Sequence, residues 1–342
     1  MSDYKILNTR APRVDAADKA TGKAKYVADL ERPGMLHAAI LQSPVAHGII
    51  RKLDVSRARS IPGVVEVVTA EDAGEVRFGV SPARYDETTF ARDKVRYLGE
   101  EIAAVAAEDA DTAIRALASI DIEIEELPRV LDMEEALGDG APQLFEEYPG
   151  NVTAEVSQHF GDVEAARPAA DHVYSDHLLN KMQDGAFLEP QGCIAETDFH
   201  GNLTLITSTQ SPHYVQRTIA MVLGLPLGKV RVMKPAVGGG FGPKASASNL
   251  EIAVCLLALK TGRPVKGLFT REQVFLRSRG RHQFLHDMEI GVKKNGKLVY
   301  LDHKCVLDGG AYSSFGIATI YYAGSLLGAP YRLDNMRYDA VR

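Results

Sequence analysis

The sequence predicts an α+β protein built from two domains. Its 342 residues exceed the roughly 100–200 residues of a typical single domain. Short apolar stretches bounded by glycine and proline, typical of strands, alternate with segments whose apolar residues recur at helical spacing. Residues 138–150 combine glycine, proline and acidic side chains without periodicity, which favours a linker. We therefore expect one domain over residues 1–140 and another over residues 150–342.

The first domain is predicted to be a compact unit of strands and short helices. Pro62-Gly63 is a turn signal between a short helix and a following strand. Asp109 is a suitable N-cap for an alanine-rich helix that runs to about Ala118. The segment IDIEIEEL alternates apolar and acidic residues, which indicates a half-exposed strand. The expected strands are residues 22–30, 34–41, 64–69, 102–106 and 120–127.

The second domain opens with the segment 159–180, and a turn then leads into a predicted strand of the exposed-edge type over residues 201–210. Ser211-Pro212 is a helix start, and the helix is expected to run to about Leu223. A strand at 230–233, a glycine-rich loop and a buried helix that ends at Gly262 follow. The remainder, residues 265–342, is predicted to be rich in strands, with a hairpin around Asn295-Gly296.

Composition excludes several classes of function. The net charge of −6 argues against a nucleic-acid-binding protein, which normally has a basic face. The three cysteines are far apart and form no C-x-x-C pair, so we expect buried thiols rather than zinc, iron–sulfur or disulfide sites. The histidines show no metal-ligand spacing, and no metal ligand is predicted. We expect no secretory signal and no membrane span, and the cysteine usage favours the cytoplasm.

The glycine-rich loop, residues 237–244, reads VGGGFGPK. A P-loop needs glycine directly before the lysine and serine or threonine directly after it, but Pro243 and Ala245 occupy those positions. Pro243 also breaks the dinucleotide-binding fingerprint. A loop between a strand and a helix can bring backbone N–H groups to an anion, or it can simply form a tight turn. The loop alone leaves both interpretations open.

Five segments, in this order along the chain, resemble the molybdenum-containing subunit of the xanthine oxidase family. They are the opening RVDAADKATGKAKYVADL with its continuation to residue 72, then FLEPQGCIAE, STQSPHYVQ, VGGGFGPK and DGGAYSSFG. The resemblance spans nearly the whole chain. It implies an N-terminal α/β hammerhead domain, followed by the first part of a molybdopterin-binding domain that is incomplete in this sequence.

The resemblance implies cofactor-binding residues in the glycine loop and beside it. Gly239, Gly240, Phe241 and Gly242 match the loop that lines the molybdopterin, where glycine lets the backbone approach a ligand. Gln210 matches the glutamine that hydrogen-bonds a ligand oxygen on molybdenum; a capping or turn role is the alternative. For Lys244 we expect a solvated side chain, because a lysine charge is costly to bury, and a phosphate contact is a weaker alternative.

Two further positions bear on the substrate. Purine-oxidising members have a glutamate where this chain has Ala245, so xanthine is not an expected substrate. The segment GIATIYYAGSLLG resembles 4-hydroxybenzoyl-CoA reductase, which has a tyrosine at the position of Tyr322. Tyr322 is therefore a predicted substrate-pocket residue, although packing in a core or an interface is the alternative. Glu189 is interpreted as a glutamate that organises the start of a strand rather than as a catalytic base.

The resemblance also implies that parts of the enzyme lie elsewhere. The family's general base is a glutamate far downstream, beyond Arg342, so no catalytic residue is assigned in this chain. The [2Fe–2S] clusters and FAD are expected on an iron–sulfur subunit and an FAD subunit, and a second molybdopterin-binding chain could complete the site. The cofactor is expected to be molybdenum–molybdopterin in the cytosine dinucleotide form, and the substrate a small aromatic molecule. A non-catalytic scaffold subunit is the competing interpretation.

Overall fold

A computed structural model describes residues 9–80 and 83–342, together with Lys5 and Leu7. The predicted first domain thus begins partly outside the described residues. The fold is α+β, as the sequence predicts. The strands are β1 (Leu36–Gln42), β2 (Gly48–Asp54), β3 (Val64–Thr69), β4 (Lys94–Val95), β5 (Glu101–Ala107), β6 (Asp121–Glu126), β7 (Glu155–Phe160), β8 (His172–Asn180), β9 (Gly192–Thr197), β10 (Leu203–Thr207), β11 (Val230–Met233), β12 (Val265–Leu268), β13 (Phe284–Val292), β14 (Leu298–Leu307) and β15 (Met336–Val341).

The helices are mostly short. The α-helices are α1 (Ala16–Ala20), α2 (Ser56–Arg59), α3 (Ala70–Ala73), α4 (Ala110–Leu117), α5 (Met133–Ala136), α6 (Val163–Ala166), α7 (Pro212–Val222), α8 (Asn249–Thr261), α9 (Arg271–Arg277) and α10 (Gly316–Leu327). Single 3₁₀ turns occur at Val27–Asp29, Pro149–Asn151, Arg167–Ala169, Leu227–Lys229 and Pro243–Ala245.

The strands form three sheets. A seven-stranded sheet has the order β11-β10-β9-β12-β1-β5-β3, a five-stranded sheet the order β7-β15-β14-β13-β8, and a three-stranded sheet the order β4-β2-β6. In the largest sheet, β1 pairs in parallel with β12, with Leu36 opposite Val265. This sheet therefore combines strands from both sides of the predicted linker.

The main hydrophobic core lies between the seven-stranded sheet and α8. Residues 249–258 of this helix are buried around its whole circumference, as expected for a helix enclosed by protein. The helix stops at Gly262, which adopts a left-handed conformation and donates its N–H to Ala258 O. Both the buried helix and its glycine stop confirm the sequence prediction.

Several predicted elements differ from the structure. Residues 22–30 were predicted as a strand but form a loop and a 3₁₀ turn, in which the Asp29 carboxylate accepts the N–H of Tyr26. The strand predicted as an exposed edge, β10, lies between β9 and β11 and is largely buried. The C-terminal part was predicted to be strand-rich, yet it also contains α9 and α10. The hairpin around Asn295-Gly296 is confirmed as β13 and β14.

Candidate functional site

The glycine loop follows β11 and leads into the 3₁₀ turn Pro243–Ala245. Its backbone is unusual, because φ is +103° at Gly239, +52° at Phe241 and +103° at Gly242. A positive φ is uncommon for a bulky residue such as Phe241, and strain of this kind persists only when the surroundings impose it. The Phe241 side chain is nonetheless 75% exposed, so its own packing does not hold the conformation.

Two glycines in this loop permit close approach to neighbouring side chains. A Cβ added at Gly240 would lie 2.6 Å from the side chain of Gln210, and one added at Gly238 would lie 2.6 Å from Cβ of Glu189. Both distances are shorter than real Cβ contacts. Glycine at positions 238 and 240 therefore allows Glu189 and Gln210 to pack against the loop.

Gln210 holds the loop directly. Its side-chain Oε1 accepts the N–H of Gly242 at 3.0 Å, and its backbone N–H donates to Lys244 O at 2.8 Å. The residue is exposed, and within the described part of the chain its Nε2 has no hydrogen-bond partner. The predicted turn role of this side chain is thus visible, and the amide still has its two N–H donors available.

The loop backbone adds further donors. In the described ranges, the N–H groups of Gly239, Gly240 and Phe241 have no hydrogen-bond partner, although the flanking Gly238 N–H donates to Glu189 and Gly242 N–H to Gln210. Free backbone donors on successive residues form a concavity suited to an anion or a polarised oxygen. Together with Gln210 Nε2, they are a set of neutral donors without a lysine or arginine.

Lys244 differs from its prediction. Its side chain is fully buried rather than solvated, and Nζ donates to Oε2 and to the backbone O of Glu189, both at 2.9 Å. Nζ also lies 4.5 Å from the centroid of the Phe187 ring. Burial lowers the pKa of Lys244, and the Glu189 carboxylate opposes that shift. The lysine is therefore an internal anchor of the loop, with no phosphate contact open to it.

Glu189 has the role inferred for it from the sequence. It lies just before β9, its carboxylate accepts the Gly238 N–H at 2.8 Å, and it pairs with Lys244. These contacts connect the glycine loop to the start of a central strand. The interpretation of Glu189 as an organising residue is confirmed.

The helix that follows the loop has a capped N-terminus. α8 begins at Asn249, where Ser248 and Glu251 form a capping box and the Asn249 side chain donates to the carbonyls of Thr88 and Thr89. Burial raises the pKa of Glu251, which is held by Ser248 and Thr207. The cap therefore uses the N–H groups of Ser248 and Glu251.

The two predicted substrate-pocket residues lie in different parts of the fold. Ala245 closes the 3₁₀ turn after the loop and donates its N–H to Gly242 O at 2.9 Å. Tyr322 lies in α10, which packs on the five-stranded sheet, and it is 54% exposed with its ring 6.0 Å from that of Phe315. Among the described residues, no hydrogen bond or ring contact connects Tyr322 with the glycine loop. The alternative of packing in a core does not hold for Tyr322.

The DGGAYSSFG segment is held by residues that sequence reasoning did not single out. The Tyr312 hydroxyl donates to Glu100, the Ser313 N–H donates to Asp86 at 2.8 Å, and Arg342 donates to the carbonyls of Gly309 and Tyr312. Asp86 and Glu100 belong to the N-terminal part and are buried. Asp86 and Glu100 belong to no periodic sequence pattern, so nothing in the neighbouring sequence indicates that they hold this segment.

The buried carboxyl group of Glu100 should make the free energy of unfolding depend on pH. Burial raises its pKa from the usual 4.5 to about 7, so the folded state binds a proton more tightly than the unfolded state. The free energy of unfolding should then fall by up to about 3 kcal/mol as pH rises from 4.5 to 7 and change little above it. Urea denaturation across this range should show that fall, and Glu100→Gln should flatten it. Equal slopes in the two proteins would contradict the assignment.

Comparison with known proteins identifies the family. Residues 21–128 match the aldehyde oxidase and xanthine dehydrogenase a/b hammerhead domain, and residues 144–342 match the molybdopterin cofactor-binding domain. The chain is 37% identical over 345 residues to the nicotinate dehydrogenase large molybdopterin subunit of Eubacterium barkeri, covering 99% of this chain and 79% of the relative. The chain belongs to the xanthine oxidase family. It is a molybdopterin-binding subunit of an oxidoreductase of that family.

Solved structures of xanthine oxidase family members share this fold. The aldehyde oxidoreductase of Desulfovibrio gigas superimposes with a TM-score of 0.91 at 28% identity, over 96% of this chain and 38% of that one. Quinoline 2-oxidoreductase from Pseudomonas putida 86 gives a TM-score of 0.90 at 29% identity, over 97% and 44%. The chain thus spans about two fifths of the length of these two relatives. In its described part, no helix has both the length and the apolar character needed to cross a bilayer.

Proposed function

We propose that this chain provides part of the molybdenum site in an oxidoreductase that acts on an aromatic or heteroaromatic substrate. The observation that carries the proposal is the donor set formed by the free N–H groups of residues 239–241 and by Gln210 Nε2. Neutral donors suit a cofactor whose metal already carries oxygen ligands, because they stabilise those oxygens without adding charge.

The residues present fit a molybdopterin cofactor. The loop leaves three backbone donors free, and its glycines let the backbone come close to a ligand. When bound, the cofactor would supply the redox and oxygen-transfer chemistry. Gly239, Gly240, Phe241 and Gly242 would line it, while Gln210 would donate from its amide. The buried Lys244–Glu189 pair would keep these groups in position without contacting the cofactor.

Two observations support the proposed substrate class: the substrates for which the relatives are named, and the residue that directly follows the glycine loop. The nicotinate dehydrogenase and quinoline oxidoreductase relatives are named for heteroaromatic substrates. Ala245 has no side chain that could hold a purine ring through a carboxylate. Reduction of an aromatic CoA thioester, suggested by Tyr322, stays a prediction.

We further propose that the working enzyme is a hetero-oligomer in the cytoplasm. An iron–sulfur subunit and an FAD subunit would carry electrons away, and the general base would come from sequence beyond Arg342 or from a second molybdopterin-binding chain. The cytosine dinucleotide form of the cofactor is proposed on the resemblance alone. The relative named as a large molybdopterin subunit supports an enzyme built from more than one subunit.

The test is the molybdenum content of the complex purified from its own host. We expect molybdenum and a molybdopterin to co-purify with the chain, and Gln210→Ala to lower the molybdenum content by roughly 10-fold or more, as for other residues that position a metal centre. Arg217→Ala, at an exposed position on α7, is the matched control and should retain full content. A native mass spectrum of the same sample would identify the accompanying subunits.

A non-catalytic scaffold is the competing function. It predicts that Gln210→Ala and Phe241→Ala leave the molybdenum content of the complex unchanged. The free donors of the loop argue against it, since a scaffold has no need of exposed, unpaired backbone N–H groups at a strained turn.

A further inference from the structure

A cluster of two histidines and a cysteine lies in the five-stranded sheet, apart from the glycine loop. In the register of β13 and β14, His286 is opposite Cys305 and Met288 is opposite His303. Because side chains alternate along a strand, the side chains of His286, His303 and Cys305 share one face. The same face carries Tyr338 of β15, whose hydroxyl donates to Ile320 O of α10 at 2.9 Å. The cluster is therefore on the side of the sheet that α10 covers.

The three side chains are close enough to share one ion. His286 Nδ1 lies 2.9 Å from His303 Nε2, and one donor atom from each of the three residues lies within 4.8 Å of the other two. A tetrahedral zinc ion with ordinary bond lengths needs roughly 3.3 Å between two nitrogens and roughly 3.6 Å between nitrogen and sulfur. The two nitrogens, 2.9 Å apart, lie closer than this, so the two rings would move slightly apart to hold an ion.

Two of the three side chains are buried, and one ring nitrogen of the cluster is unpaired among the described residues. His303 is 3% exposed and Cys305 is 4% exposed. His303 Nδ1 is buried with no hydrogen-bond partner among the described residues, although buried polar atoms are nearly always paired.

We propose that His286, His303 and Cys305 form a binding site for Zn²⁺. Two imidazole nitrogens and one thiolate are a donor set that zinc prefers, with a water molecule as the fourth ligand. On binding, the Cys305 thiol releases its proton to solvent and the sulfur forms the bond to zinc, with no change of oxidation state. His286 is only half-buried, so the ion has a path from solvent. The site is separate from the molybdenum chemistry and does not rest on it.

The site would connect the sheet with the helix above it. The ion would join β13 to β14, and the Cys305 sulfur already lies 3.3 Å from the Tyr338 hydroxyl that anchors α10 at Ile320. The bound ion should therefore stabilise the part of the fold that carries Tyr322.

The test uses the full chain, freed of bound metal by a chelator and titrated with Zn²⁺ alone and with Co²⁺ alone. We expect one equivalent of Zn²⁺ to bind and to raise Tm, and Co²⁺ to give the charge-transfer absorption of a cobalt–thiolate bond. Cys305→Ser and His303→Gln should each weaken Zn²⁺ binding by more than roughly 100-fold, and the serine variant should lose the cobalt–thiolate band.

Two control variants separate the site from general effects. Cys255→Ala changes a buried thiol in α8, and His200→Gln changes an exposed imidazole; both should keep the Tm rise, and the alanine variant should keep the cobalt–thiolate band. Circular dichroism on each metal-free variant establishes that it is folded. Absence of saturable Zn²⁺ binding by the wild-type chain, or an unchanged cobalt–thiolate band in folded Cys305→Ser, would overturn the proposal.

Discussion

Replacing Lys244 with methionine is expected to lower the free energy of unfolding by about 3–5 kcal/mol, the cost of leaving one partner of a buried ion pair alone. The lysine side chain is fully buried, and the Glu189 side chain is only 10% exposed, so neither gains compensation from water. The loop should lose its attachment to β9, and the molybdenum content of the complex should fall with it. Urea denaturation measures the first effect, and metal analysis the second.

Two further variants are compared with Lys244→Met: one changes an exposed lysine, and the other removes both charges of the buried pair. Lys234→Met changes an exposed lysine just before the same loop and should alter the free energy of unfolding by no more than about 0.5 kcal/mol. The double variant Glu189→Gln with Lys244→Met removes both charges and should be less destabilised than Lys244→Met alone. A Lys244→Met protein as stable as the Lys234→Met protein would show that the pair contributes nothing.

Replacing Gly240 with alanine is expected to lower the affinity for the cofactor much more than it lowers the stability of the fold. The new Cβ would lie 2.6 Å from Cγ, Cδ and Oε1 of Gln210, and because that side chain is flexible it can swing away. Its hydrogen bond to the Gly242 N–H would then be lost, at about 1 kcal/mol of stability. With the amide displaced, affinity for the molybdenum cofactor should fall roughly 10- to 100-fold. Molybdenum per chain in the purified complex is the measurement.

Gly228→Ala provides the comparison for this variant. Gly228 is exposed, and a Cβ there would meet no heavy atom within 4 Å. This variant should keep both its stability and its molybdenum. If Gly240→Ala also keeps its molybdenum, the close contact between the loop and Gln210 has no part in holding the cofactor.

Elements with strong local signals could be predicted from the sequence. β3, β11, α4 and α8 lie where the apolar patterns and caps place them; Asp109 accepts the Thr112 N–H at 2.7 Å as an N-cap should. The family motifs likewise led to the loop and Gln210, which are in contact. The position of β10 within its sheet could not be read from the sequence, because burial there depends on β9 and β11 as neighbours.

The burial of Lys244 could not be predicted for a related reason. Only the partner makes a buried lysine tolerable, and that partner, Glu189, is 55 residues away in sequence. The histidine cluster carried a weak local signal, since His303 and Cys305 are two residues apart on a strand and so share a face. The contact between His286 and His303 depends on the pairing of two strands, because the two residues are 17 positions apart in sequence.

The parallel pairing of β1 with β12 decides how this chain can be divided. Cutting it between residues 138 and 150 would leave β1 with an unpaired row of backbone N–H and C=O groups where Leu36, His37 and Ala38 now face β12. The separated halves should then be prone to aggregate through these open strand edges. The natural mechanical unit is therefore the whole seven-stranded sheet, which neither half can form alone.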